Sequence, residues 1–171
     1  RGDIVLDRTA FAPAEGSAAD FDGDATRPYN VRPDALLLNY KAVTYSFVPE
    51  PARNVARVIA EPDLSAGRSE RAVPLTAGPC DDWRTALKAT ADGTGYRFGG
   101  SYPAACGEQA WPLADPDAAT YNARLVEALW RDLGGRLGGS VHDGVAPAGS
   151  KPSFELRSPA LAEVVRDINK F

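Results

Sequence analysis

The sequence predicts an α+β fold made mostly of antiparallel β subdomains, with two helices. Three observations support this class. Apolar and polar side chains alternate over residues 42–48, short strand-like segments separated by turns recur through the first two thirds, and two helical stripes follow. Composition agrees with a folded chain, because 44% of the residues are hydrophobic and 25% are charged.

The first third of the chain predicts one strand, one long loop and a second, stronger strand. Residues 2–7 have strand character, and the following stretch to Asn30 is rich in Ala, Gly, Asp and Pro, which is typical of a loop. Residues 42–48 show the period of two of a half-buried antiparallel strand. We expect Pro49 to end this strand and residues 36–38 to supply its hairpin partner.

The remaining elements follow from turn residues and helical spacing. Asp115 and Pro116 predict a helix start, the apolar stripe including Leu125 and Leu129 predicts its buried face, and Gly134-Gly135 predicts its end. Four strands are predicted before this helix and two after it; they are residues 55–60, 71–75, 96–101 and 109–113, with a turn at 92–95, and then Val141 and 154–156.

A second helix is predicted from Ser158-Pro159 onward. Apolar residues recur at intervals of three and four as far as Phe171, and no Gly or Asn cap follows them. We therefore expect the chain to be truncated.

Charge and hydropathy exclude several partners. The net charge is −4, and Lys and Arg form no basic stripe, so nucleic acid is not an expected partner. The longest apolar stretches, residues 35–38 and 125–130, fall far short of the roughly 20 residues that span a bilayer. No transmembrane segment and no cofactor are expected, and the sequence predicts no oligomeric state.

Two cysteines lie in polar surroundings. Cys80 and Cys106 have Gly or Pro nearby, and a disulfide in an oxidising compartment fits both, while two independent free thiols remain the alternative. A zinc site is disfavoured because His142 is the only histidine and no Cys-x-x-Cys pair exists. No metal ligand is predicted.

No catalytic residue is predicted in the chain. The motifs Ser-x-x-Lys, Ser-x-Asn, Lys-Thr-Gly and Gly-x-Ser-x-Gly are all absent. The acid pairs Asp81-Asp82 and Asp115 with Asp117 are better explained as caps near helix starts than as groups that share a proton. The tryptophans could form a sugar-stacking platform, but a core role is favoured for all three; they are Trp83, Trp111 and Trp130.

Three separated segments resemble one protein family. Residues 158–171, SPALAEVVRDINKF, are the most specific of them, with support from residues 102–108, YPAACGE, and residues 2–7, GDIVLD. They resemble the class C low-molecular-weight penicillin-binding proteins, which are the D-alanyl-D-alanine carboxypeptidase/endopeptidases of peptidase family S13. In that family a segment similar to 158–171 runs directly into the Ser-x-Asn motif.

The resemblance implies that the chain lies between the Ser-x-x-Lys and Ser-x-Asn motifs of such an enzyme. Residues 1–114 would form a mainly β accessory region of one or two subdomains, one tied by a Cys80–Cys106 disulfide. Residues 115–157 would form a helix and a β return, and residues 158–171 the start of a helix of a truncated transpeptidase-like domain.

The full enzyme would be a periplasmic serine hydrolase. It would act on peptidoglycan stem peptides and be acylated by β-lactams, while this chain would supply no catalytic group. In the family order the first strand leaves the catalytic domain close to the nucleophile motif. Asp7 and Arg8 are therefore candidate contacts for amino or carboxyl groups of the stem peptide.

Two other functions remain open at this point. One is a free-standing periplasmic binding or interaction module, against which the uncapped last helix argues. The other is an independent hydrolase that uses acids such as Asp81 and Asp115, which no arrangement beyond simple proximity supports.

Overall fold

A computed structural model describes residues 2–65, 71–93 and 95–170 and confirms the α+β class. Thr94 in the expected turn and Phe171 in the expected last helix lie outside the described residues. The strands found in the described ranges are, in chain order, β1 (Ile4–Leu6), β2 (Ala42–Glu50), β3 (Val55–Glu61), β4 (Arg71–Thr76), β5 (Leu87–Ala91), β6 (Tyr96–Gly100), β7 (Tyr102–Pro103), β8 (Gln109–Ala114) and β9 (Val141–Asp143).

Helices are few in the same residues. The α-helices are α1 (Trp83–Ala86), α2 (Tyr121–Asp132) and α3 (Leu161–Ile168), and short 3-10 turns lie at Pro28–Asn30, Leu38–Lys41, Pro51–Arg53 and Ala104–Cys106. None of these helices has the length and apolar content needed to cross a bilayer.

A five-stranded sheet forms the body of the molecule, with the strand order β7-β4-β3-β2-β8. All its neighbours are antiparallel except β4 and β7. Strand β2 is the best-connected strand, since Tyr45 lies opposite Ala60 on one side and Trp111 on the other. The antiparallel hairpin β5–β6 forms a separate two-stranded sheet.

The core lies on one face of the large sheet and is strongly aromatic. The alternation in β2 places Tyr45 and Phe47 there, with 1% and 0% of their surfaces exposed. Phe47 stacks on Tyr102 at 5.5 Å and makes edge contacts with Trp83 at 5.4 Å and Phe98 at 5.0 Å. The predicted core role is correct for Trp83 and Trp111, whereas Trp130 is 43% exposed.

A disulfide joins Cys80 to Cys106 across 26 residues. The closed loop contains α1 and the β5–β6 hairpin, the two elements that supply Trp83 and Phe98 to the aromatic core. Closing a loop of this length stabilises a fold by roughly 3 kcal/mol in the chain-entropy account. The bridge therefore holds this peripheral hairpin close to the main sheet.

The prediction that Pro49 ends its strand is wrong. Strand β2 continues to Glu50, with Pro49 opposite Ala56 of β3. On its other side β8 reaches only Gln109, opposite Phe47, so no second strand of the described residues pairs with β2 at Pro49. A proline is tolerated where its missing N–H faces no strand.

The expected hairpin partner at residues 36–38 is also wrong. Strand β2 pairs instead with β3 and β8, and Leu38 begins a 3-10 turn. In this turn Asn39, Tyr40 and Lys41 all have positive φ, at 44°, 50° and 46°. A left-handed conformation costs a non-glycine residue roughly 1–2 kcal/mol, so surrounding contacts must hold the turn.

Two further local predictions need correction, and two elements were not predicted at all. Helix α2 begins at Tyr121 rather than near Asp115, because Asp117 bonds the backbone N–H and the hydroxyl of Thr120 and forms a turn before the helix. Residues 154–156 form no strand. Helix α1 and strand β5 were not predicted, since four helical residues leave no periodic pattern.

The two ends of the β region lie side by side. Strand β1 pairs in parallel with β9, with Ile4 opposite Val141 and Leu6 opposite Asp143. The chain segment between them, which forms the large sheet, therefore starts and ends at neighbouring points. Beyond it, each of residues 145–170 is exposed, including the apolar residues of α3.

Candidate functional site

A network of ion pairs lies where the β1–β9 pair meets the sheet body. Asp34 accepts bonds from Lys41 Nζ at 2.7 Å and from Arg8 Nη1 at 2.6 Å through the same oxygen, Oδ2. The other terminal nitrogen of Arg8 lies 2.5 Å from Asp143 Oδ2 in β9. Arg8 follows β1, Asp34 precedes the left-handed turn that contains Lys41, and Asp143 lies in β9, so the cluster joins three separate parts of the chain.

Lys41 and Asp34 form the buried part of this cluster. Their side chains are only 8% and 11% exposed. Burial alone would raise the pKa of Asp34, but the hydrogen bonds from Lys41 and from the Leu36 backbone, with the charges of Lys41 and Arg8, outweigh burial and hold that pKa below its usual value. Asp34 therefore stays ionised well into the acid range.

Asp7 lies next to this cluster of Arg8, Asp34, Lys41 and Asp143, which we call the ion-pair seam, and bonds to the chain on both sides of it. One carboxylate oxygen accepts bonds from the hydroxyl and backbone N–H of Thr9, at 2.6 and 2.9 Å, and the other from the Ala146 backbone N–H at 2.8 Å. These bonds, the Thr9 hydroxyl first, lower the pKa of Asp7. The exposed carboxylate remains an anion at neutral pH.

A second polar cluster organises the long loop. Asp22 accepts bonds from the Tyr29 hydroxyl at 2.7 Å and from Asn30 Nδ2 at 2.6 Å. Asp24 accepts bonds from Thr26 and from Arg27 Nε. These bonds lower the pKa of both carboxyls, chiefly through Tyr29 for Asp22 and through Thr26 for Asp24.

The buried carboxylate Asp115 serves a structural role. Its side chain is fully buried, and Oδ1 lies 2.5 Å from Arg124 Nη2 and accepts the Asp117 N–H at 2.9 Å. Asp115 Oδ2 and Asn122 Oδ1 are the buried side-chain oxygens that find no partner in the described residues. Asp115 is therefore tied to α2 and does not form the acid pair with Asp117 that proton sharing would need.

One serine and the single histidine lie close together without forming a catalytic arrangement. Ser140 Oγ is 3.3 Å from His142 Nδ1, and both residues are exposed. The neighbouring carboxylate, Asp3, accepts bonds from Ser140 and not from the histidine. A catalytic triad needs the acid to orient the imidazole, so this group lacks the required order.

A metal site is also missing from what the structure describes. Within residues 2–65, 71–93 and 95–170, no three His, Cys, Asp or Glu side chains converge in a way that could hold a metal ion. The carboxylates of the long loop bond to their own neighbours instead, as Asp22 and Asp24 illustrate.

The whole sequence matches one family profile. Residues 1–171 match the D-Ala-D-Ala carboxypeptidase 3 (S13) family. The chain belongs to this family. The S13 assignment agrees with the resemblance that residues 2–7, 102–108 and 158–171 indicate, and no curated protein sequence matches the chain.

The fold of this S13 chain is similar to that of a solved structure. The crystal structure of penicillin binding protein 4 (dacB) from Haemophilus influenzae matches 87% of the chain at 17% identity, with a TM-score of 0.55. The match covers 33% of the Haemophilus influenzae chain. The S13 chain thus spans about a third of the length of that protein.

The sequence predicts only part of this candidate site. Asp7 and Arg8 were singled out, and the structure places both at the seam, where Arg8 is held between two carboxylates. Asp34, Lys41 and Asp143 were missed, because partners from different elements leave no local pattern. Only the position of Lys41 indicated such a site, since a lysine directly before an apolar strand can be buried together with that strand.

The buried pair in this S13 chain predicts a specific dependence of stability on pH. A lowered pKa means that ionised Asp34 stabilises the fold above the unfolded-state pKa, near 3.8, and that this contribution is lost as the pH falls through the lower folded-state value. We expect Asp34→Asn to lower the free energy of unfolding by about 3 kcal/mol at pH 7, because Lys41 loses its buried partner. The difference from wild type should shrink below about pH 4.

The measurement is urea unfolding of both proteins from pH 7 to pH 3. Asp63→Asn is the control, since Asp63 also accepts bonds from a residue two positions on but pairs with no buried cation among the described residues. A wild-type to Asp34→Asn difference that stays constant over this range would contradict the account.

Proposed function

We propose that this chain is an inserted, non-catalytic region of a serine-type D-alanyl-D-alanine carboxypeptidase/endopeptidase that acts on peptidoglycan stem peptides and is acylated by β-lactams. The observation that carries the proposal is the S13 family match over residues 1–171, together with a sequence that contains none of the family's three catalytic motifs. The nucleophile would therefore come from other parts of the full protein.

The arrangement of the chain supports an insertion. An inserted region must leave and re-enter its host at neighbouring points, and β1 and β9 are neighbours in one small parallel sheet. Residues 1–114 would be the mainly β accessory region, residues 115–157 the helix and β return, and residues 158–171 the start of a helix that leads into the catalytic domain.

The exposed α3 helix supports the same boundary. Leu161 and Ile168 are 77% and 70% exposed, and with Val164 and Val165, also exposed, they make one apolar face turned to solvent. An isolated helix of eight residues is marginal in water. The transpeptidase-like domain of the full enzyme would cover this face.

The disulfide supports a location in the periplasm. Disulfides persist in oxidising compartments and are rare in the cytosol. In that compartment the full enzyme would meet both peptidoglycan and β-lactams. In the full enzyme this region would form a wall on the substrate side of the active site, a role that requires none of its own groups to react.

Acylation mapping tests the proposal directly. We expect the full-length protein to gain the mass of one penicillin, and peptide mapping to place the adduct on a serine outside residues 1–171. The control is the same protein with its nucleophile serine, located by the mapping, replaced by alanine, which should gain no mass. An adduct on any residue of 1–171 would overturn the proposal.

Asp7 and Arg8 remain our candidate substrate contacts, and Asp7 is the better of the two because Arg8 is engaged by two carboxylates. An exposed anion beside the active site would attract an amino group of the stem peptide. We expect Asp7→Asn in the full enzyme to raise KM about tenfold for stem peptides with a free amino group. Peptides whose amino group is acetylated should be unaffected.

The matched control is Asp63→Asn, because Asp63 bonds Ser65 much as Asp7 bonds Thr9. D-Alanine release would be measured for all three proteins with both peptides. Equal KM values for wild type and Asp7→Asn with the free-amine peptide would remove Asp7 from the substrate site.

A further inference from the structure

Exposed aromatic side chains are concentrated in one stretch of the chain. Most aromatic residues lie in or against the core, but four between residues 11 and 40 are turned to solvent. They are Phe11, Phe21, Tyr29 and Tyr40, at 71%, 85%, 66% and 68% exposure. Large aromatic side chains that are exposed together in one region of a protein usually indicate a binding surface.

Tyr29 is held in a fixed orientation. Its hydroxyl donates to Asp22, and Asp22 is in turn bonded by the buried Asn30 and by the Asp24 backbone N–H at 3.0 Å. The ring is therefore fixed at its far end while most of its surface stays in solvent. A ligand that stacks on it would lose little side-chain freedom of the protein.

Tyr40 is held by its backbone. It lies in the left-handed turn with φ of 50°, between two residues that anchor the turn. Asn39 donates to the Ala42 carbonyl at 2.9 Å, and Lys41 pairs with Asp34 while its own carbonyl accepts the Asp115 N–H at 2.8 Å. This strained turn is maintained from both sides and presents a tyrosine to solvent.

The two tyrosines belong to neighbouring turns. Tyr29 lies in the 3-10 turn Pro28–Asn30 and Tyr40 in the 3-10 turn Leu38–Lys41, and these turns contact each other. We propose that Tyr29 and Tyr40 form a carbohydrate-binding face that stacks on the N-acetylated sugar rings of the peptidoglycan glycan strand. This inference rests on the proposed function, since it names a further part of the same substrate.

The charge of the surface favours a neutral sugar over other ligands. Residues 15–32 contain four carboxylates and two arginines, so the surface is acidic and repels anionic polymers and anionic lipid headgroups. A glycan whose lactyl carboxyls are amide-linked to peptide is uncharged. Fixed tyrosines offer apolar ring faces to the sugar C–H groups, and the adjacent carboxylates accept bonds from its hydroxyls.

Binding of peptide-free glycan strands to the full-length protein tests the proposal. The probe is a peptide-free strand of β-1,4-linked N-acetylglucosamine, whose N-acetylated rings carry no charge, and the variant is Tyr29→Ala combined with Tyr40→Gly. Glycine tolerates the left-handed φ at position 40, so this change removes the ring without adding strain. We expect the variant to bind the strands at least roughly tenfold more weakly than wild type.

Two controls keep the result specific. Phe154→Ala removes an aromatic ring that is 79% exposed in another segment and should leave glycan binding unchanged. Tyr40→Phe keeps the ring and should bind within about twofold of wild type. The rate of penicillin acylation should be the same in all four proteins, which shows that the catalytic domain is intact.

Three results would overturn the proposal. The double variant could bind glycan as tightly as wild type, or wild type could fail to bind peptide-free glycan. The third is that the double variant loses binding only of stem peptide that carries no glycan. The last result would assign the tyrosines to the peptide. Acylation that persists in any of these cases would leave the proposed function standing, so the two failures are distinguishable.

Discussion

The packing of Phe47 is the contact on which the β region depends. Its ring is fully buried and touches Tyr102, Trp83 and Phe98, which come from three separate elements after β4. These elements contribute few backbone bonds to the large sheet, so their attachment comes from aromatic contacts and from the Cys80–Cys106 bridge. A small domain with a thin core gains most from such a combination.

The ion-pair seam has a different role from the core. It fixes how β1 and β9, where the chain leaves and returns, are oriented against the sheet body, through Arg8 between Asp34 and Asp143. Its buried half also stabilises the left-handed turn at Lys41. In the proposed enzyme, this seam would set the angle at which the accessory region stands beside the catalytic domain.

Local patterns predicted the elements that local forces specify. The alternation in residues 42–48 located β2, and the leucine spacing located α2, because each pattern reports one buried face. The pairing of β1 with β9 joins residues 137 apart, as Ile4 and Val141 show, and leaves no trace in either segment. The extension of β2 through Pro49 depended on where its neighbour ends, which is likewise non-local.

The candidate site was less predictable than the fold for the same reason. Asp7 and Arg8 were found through the family resemblance, whereas the burial of Asp34 depends on contacts with a turn whose conformation no propensity favours. Tyr29 and Tyr40 carry no sequence motif, and only their exposure on adjacent turns distinguishes them from core aromatics. Such sites become visible when burial is known residue by residue.

The most direct test of the central claim is amide hydrogen exchange of α3 in the full-length protein. If this chain is a region of a larger S13 enzyme, the apolar face of Leu161–Ile168 is covered by the catalytic domain, and its amides should exchange at least about tenfold more slowly than an unprotected helix of this length. The amides of β2 provide the internal standard of a folded core. Exchange of α3 at the unprotected rate, with β2 still protected, would contradict the account.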